Sequence, residues 1–154
     1  MGFIVKTGSL ILGASGATST APADTAENIL ATITIPQLPA NALITYRVAI
    51  SQTNNANVKS MRLRLGGIAG TDLWGALSVA SQARYYFDGV IQNRGATNSQ
   101  VAHFMYGATA FASAAAATAA IDTSAPTTLV ITAQKATGTD TVTLESYYVA
   151  LWLP

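Results

Sequence analysis

The sequence predicts an all-β protein built as an antiparallel sandwich or barrel, and three observations predict it. Apolar and polar residues alternate with a period of two in segment after segment. Gly, Pro, Asn and Asp separate those segments at short spacing. No long stretch shows the periodicity of the amphipathic helices that a parallel sheet needs for its crossovers. With 154 residues the chain suffices for one domain with a real core, residues 1–154, and is short for two.

Residues 1–24 read as an N-terminal arm or first strand, the strand itself being 3–12. Lys6 followed by apolar and small residues has the outline of a signal peptide. The apolar runs 3–5 and 10–12 are each too short for its central segment. A myristoylation signal would carry Ser or Thr where Lys6 stands. Residues 28–35 place Ile29, Ala31, Ile33 and Ile35 on one side and stop at Pro36; 37–41 is a turn. Residues 43–51 align Ile44, Tyr46, Val48 and Ile50 against Thr45, Arg47 and Ser51. After the polar connection 52–57, residues 58–65 set Met61, Leu63 and Leu65 opposite Ser60, Arg62 and Arg64, and end at Gly66-Gly67.

Residues 84–92, 99–106, 127–134 and 141–153 are the remaining strands, with turns at 93–95 and 138–140. The count is about eight. Residues 109–121 are alanine-rich, and alanine is the best helix former. A helix this short is marginal alone and offers little to bury. A loop running into a strand is therefore expected, with a short helix as the alternative.

The last strand has no polar face. In TVTLESYYVALWLP, strand alternation sends Tyr148, Ala150 and Trp152 one way and Tyr147, Val149, Leu151 and Leu153 the other. The first set is assigned to the core; a bulge near Glu145-Ser146 would exchange the two sets. The second needs a cover, either a second layer or another chain. It is taken as an interface with a partner, together with Arg62 and Arg64 on one face of their strand.

Composition points the same way. Only 10% of residues are charged against 50% hydrophobic, and a compact chain of this size exposes roughly 7,000 Å². Charge is sparse for a protein that must stay apart from its copies. The net charge of +1 argues against nucleic acid, and no apolar run approaches the ~20 residues of a membrane span. There are no cysteines, hence no disulfide or thiolate metal site.

Catalytic signals are absent. His103 lies among large apolar residues of a strand and reads as structural or interfacial. Asp24 and Glu27 fit turn or strand-entry roles, and Asp72, Asp88, Asp122 and Asp140 lie in or beside turns. Gly13–Ala17 is close to a nucleophile elbow but has Ala17 as its final residue and no following helix. Residues 66–70 lack the Rossmann and P-loop spacings. Tyr85, Tyr86 and Phe87 offer aromatic surface of the kind sugar sites use, although Tyr85 and Phe87 suit a core. No enzyme, cofactor or metal is expected.

The segments ENILATITIPQLPANAL, NNANVKSMRLRLGG, QNRGATNSQ and IDTSAPTTLVITAQKATGTDTVTLESYYVALWLP resemble those of jelly-roll structural proteins of tailed bacteriophages, among them head decoration (cement) proteins and related fibre domains. The resemblance implies a jelly roll, a virion location after assembly in the host cytoplasm, a homotrimer, and the major capsid protein as partner. The function it implies is that of a capsid decoration protein stabilising the lattice. The competing expectation is a receptor- or glycan-binding domain of a fibre or spike, with Tyr85–Phe87 and the loop 52–57 as its site.

Overall fold

The computed structural model describes residues 9–75, 77–107, 112–113 and 116–154. Among them are thirteen strands and no helix. In chain order these are β1 (Ser9–Ser15), β2 (Ser19–Thr20), β3 (Asn28–Ile35), β4 (Leu43–Gln52), β5 (Lys59–Leu65), β6 (Thr71–Asp72) and β7 (Leu77–Val79). There follow β8 (Arg84–Asn93), β9 (Gln100–Gly107), β10 (Ala112–Ser113), β11 (Ala117–Ala119), β12 (Thr127–Lys135) and β13 (Val142–Trp152). Eight of them have seven or more residues, and these are the eight that alternation in the sequence marks.

The larger sheet runs β1-β13-β4-β8-β9, with β2 beside β13 and both β10 and β11 beside β9. The smaller runs β3-β12-β5, with β6 and β7 beside β5. All pairings are antiparallel. The chain crosses between sheets at β2–β3, β3–β4, β4–β5, β7–β8, β11–β12 and β12–β13. The sets β1-β13-β4-β8 and β3-β12-β5-β7 therefore interleave, which is the double Greek key of a jelly roll. Strand β9 extends the larger sheet beyond that pattern.

The core is the space between the inner faces. Ile44, Tyr46, Val48 and Ile50 of β4 oppose Met61, Leu63 and Leu65 of β5 and Leu129 and Ile131 of β12, all buried. Trp74, from the segment joining β6 to β7, inserts here. Its ring stacks on Phe87 at 4.2 Å and meets Tyr46 and Phe104 at 6.1 Å. Its Nε1 donates to the Tyr46 hydroxyl at 3.0 Å. Burial pushes the Tyr46 phenol pKa far up, with the nearby Asp88 charge adding to the effect. Gly89 makes room for that phenol, because a Cβ there would lie 2.4 Å from the Tyr46 hydroxyl and 2.6 Å from the His103 carbonyl oxygen.

Two bulges reverse expected faces. On β13, Leu144 pairs with Ile50 and Ser146 with Ala49, so Glu145 is an extra residue. Every side chain beyond it changes sides. Val149 and Leu151 are 0% and 2% exposed in the core, while Tyr148 and Trp152 are 39% and 46% exposed on the outer face. The core assignment of Tyr148 and Trp152 is thus corrected. On β3 the register skips Leu30, which is buried in place of the exposed Ile29.

The N-terminal strand is Ser9–Ser15, pairing with β13 at the sheet edge; residues 3–8 of the expected strand lie outside the described residues. Of the alanine-rich stretch, 109–111 and 114–115 also lie outside them. Ala112–Ser113 and Ala117–Ala119 pair with β9 as strands.

Candidate functional site

The residues first assigned to a partner interface are not brought together. Val149 and Leu151 are core residues, and Tyr147 is partly buried against the core, its ring 3.2 Å from where a Gly13 Cβ would sit. Leu153 is exposed beyond the end of β13. Three of these four side chains are therefore directed into the protomer, because the Glu145 bulge turned them there.

Arg62 and Arg64 do share the outer face of β5, but acids of the same chain hold them. Arg64 donates from Nε and Nη2 to the two carboxylate oxygens of Glu27 at 2.8 and 3.0 Å. Arg62 lies 3.2 Å from Glu27 and 3.7 Å from Asp72. Thr132 adds a hydrogen bond to Glu27 at 2.6 Å. The Arg64 hydrogen bonds hold the Glu27 carboxyl below its ordinary value of 4.5, against the opposing effect of burial. A carboxylate so depressed contributes stability that is complete above its unfolded value and lost as pH falls through the folded one. The thermal midpoint should accordingly fall below pH 4.5. Glu27→Gln should flatten that part of the profile, as followed by circular dichroism; an unchanged slope would mean that the pair contributes nothing.

The face left open is the outer side of the larger sheet. Alternation sends Thr45, Arg47, Ala49 and Ser51 of β4 there, with Tyr86, Asp88 and Val90 of β8, His103 and Met105 of β9, and Tyr148 and Trp152 of β13. Register aligns Tyr148, Arg47, Asp88 and Met105 in one row across four strands. Neighbouring strands lie about 4.8 Å apart, so this row spans about 14 Å.

At its centre Arg47 donates to Asp88 Oδ2 from Nε at 3.0 Å and from Nη2 at 2.6 Å. Asp88 Oδ1 accepts nothing among the described residues. The pair is solvent-exposed, Arg47 most of all, and such pairs add little stability. Its effect is to fix a carboxylate and a guanidinium in one orientation on open surface. Two cavities flank it, of about 300 and 360 Å³, and share Thr45 and Asp88. Tyr148 borders the first, and His103 and Met105 border the second. The exposed Trp152 indole donates a long hydrogen bond from Nε1 to Thr45 Oγ1 at 3.4 Å.

Asp88 is the residue that sequence reading misplaced: it stands mid-strand in β8, away from any turn. Asp24, Asp72 and Asp122 do lie in or beside turns, each accepting a backbone N–H two residues on. The other expected glycan site does not form either. Tyr85 and Phe87 are buried, and Asn55 of the 52–57 loop is bonded to Asp140 and to the buried Lys59. Tyr86 alone of the three aromatics faces outward. Among the described residues, no three His, Cys, Asp or Glu side chains gather as metal ligands.

No protein-family model and no curated protein matches the sequence. Among solved structures, the chain is similar to winged bean acidic lectin complexed with methyl-α-D-galactose, with a TM-score of 0.44, 11% identity, and coverage of 97% of this chain and 100% of that one. It is also similar to a Lotus tetragonolobus seed lectin isoform (TM-score 0.43, 9% identity, covering 99% and 96%). A third is the CBM2 module of the evolved Dit of Lactobacillus casei BL23 phage J-1 (TM-score 0.38, 11% identity, covering 79% and 68%). At these scores the likeness is one of general architecture and says nothing of ligand.

Proposed function

We propose that this chain is a non-catalytic glycan-binding domain whose site is the outer face of the larger sheet. The observation that carries the reading is the Arg47–Asp88 pair, exposed among aromatic rings, with Asp88 Oδ1 accepting nothing among the described residues. A pyranose presents an apolar C–H face and a rim of hydroxyls. Aromatic side chains with polar tips match the first, as Tyr148 and Trp152 would. A fixed carboxylate and guanidinium match the second through charge-assisted hydrogen bonds. The two adjoining cavities have the volume of small-ligand sites, about 300 Å³ upward.

Capsid decoration, which the phage resemblance implies, was assigned to Tyr147, Val149, Leu151 and Leu153; the bulge turns the first three inward and leaves Tyr148 and Trp152 on the outer face in their place. Within the glycan reading, the phage resemblance points to a fibre or spike domain. Trimerisation, which the same resemblance implies, would raise the avidity of weak single sites.

The test is an immobilised array of neutral gluco-, galacto- and manno-oligosaccharides. The wild type should be retained by at least one of them. Trp152→Ala and Asp88→Asn should each weaken binding about tenfold or more, equivalent to about 1.4 kcal/mol, with unchanged thermal midpoints. Absence of any retained glycan, or equal binding by folded variants, would overturn the proposal.

A further inference from the structure

We infer that the ligand is an extended, uncharged oligosaccharide lying along the strands, with a second set of contacts beyond the Arg47–Asp88 pair. This rests on the glycan reading above and adds to it the ligand's length and charge. Beyond the pair the face continues into two more cavities of about 380 and 390 Å³, which meet at Tyr86. The nearer is bordered by Arg47 and Asp88 themselves, so the open surface runs on without a break past the ion pair. The farther is bordered by Ala49, Ser51, Arg84 and Glu145.

Register gives the length. Leu43 pairs with Trp152 at one end of β4, and Ser51 pairs with Arg84 at the other. Eight residues separate them, about 27 Å at ~3.4 Å per residue. A single sugar ring covers only a fraction of that distance. Aromatic rings recur along it, with Trp152 before the pair, Tyr148 level with it and the 43% exposed Tyr86 beyond it. Thr45 stands between Trp152 and the pair, and further polar groups lie beyond Tyr86. Ser51 Oγ donates to Glu145, and Arg84 makes no ion pair among the described residues.

The charge is balanced at each station, Arg47 against Asp88 and Arg84 against Glu145. A face with no net sign gives no electrostatic preference for an acidic or a basic chain. Side chains that alternate rings with hydrogen-bonding groups over this length fit a neutral polysaccharide segment. A folded protein partner would instead require about 800 Å² of contact per side, whereas this face measures about 14 by 27 Å.

The experiment uses the full chain and labelled neutral gluco-, galacto- and manno-oligosaccharides of two and six residues, with affinity read by fluorescence anisotropy. In the series that binds, the six-residue ligand should bind at least tenfold tighter than the two-residue one. Tyr86→Ala and Arg84→Ala should bring the longer ligand towards the affinity of the shorter, whereas Trp152→Ala should weaken both. Equal affinity for both lengths in the wild type, or an undiminished length effect in both variants, overturns this inference and leaves the glycan reading standing. Failure of every series at both lengths overturns the two together. Tighter binding of the matching uronic-acid series than of the neutral one would overturn the assignment of charge.

Discussion

Leu151→Asp should fail to give a folded protein, while its neighbour Trp152→Ala should fold normally. The two residues are adjacent in sequence and both apolar, but they occupy opposite faces of the sheet. Leu151 is 2% exposed and lies between Leu10 and Ile44 in register. A carboxylate there has no partner. It must protonate or draw water into the core, and an unpaired buried ionised group costs far more than a buried hydroxyl. Domains of this size are stable by about 5–15 kcal/mol in total, and loss of the leucine packing adds to the deficit. Trp152 is 46% exposed, and its removal takes mainly surface. Soluble yield and circular dichroism decide it. The opposite pattern, with Leu151→Asp folded and Trp152→Ala unfolded, would mean that the bulge at Glu145 does not form.

Trp74→Ala should cost about 3–5 kcal/mol in urea unfolding, the usual range for deleting a buried large aromatic ring. This ring bridges the two sheets: it leaves the smaller sheet between β6 and β7 and fills the space beneath β4, β8 and β9. It stacks on Phe87 and touches Phe104, so no neighbour can fill the void without moving a strand. It also donates the hydrogen bond to the Tyr46 hydroxyl, which would be left buried and unpaired at a further ~1–3 kcal/mol. Trp74→Phe should therefore fall between wild type and Trp74→Ala. A loss under about 1 kcal/mol for Trp74→Ala, well short of the ring-deletion range, would place the ring outside the core. Because Tyr46 lies beneath Asp88 and Gly89, Trp74→Ala should also loosen the binding face.

The eight long strands were legible because alternation is a local signal, repeated within each strand and punctuated by Pro36, Gly66-Gly67 and Asn93-Arg94-Gly95. The inner faces of β4, β5 and β8 followed from the same signal. The faces of β3 and β13 did not, beyond the bulges near Leu30 and at Glu145. A bulge is a property of pairing between strands, and a single strand's sequence does not carry it. Strands β6 and β7 and the core role of Trp74 were missed because their segments are too short to show a period. The site was hidden for a related reason. Arg47 and Asp88 are 41 residues apart, and only the β4–β8 register brings them side by side. Exposed Tyr148 and Trp152 were visible as aromatics, but the uncorrected alternation assigned them to the core.

The central claim is that a neutral glycan binds over the Arg47–Asp88 pair and the exposed rings of β13. The chain has two tryptophans, one on that face and one in the core, so an ¹⁵N-labelled sample gives two indole N–H signals that report the two places separately. Titration with the oligosaccharide that the array retains should shift the Trp152 indole signal progressively, with that of Trp74 nearly still. A bound oligosaccharide that leaves the Trp152 signal in place would contradict the account.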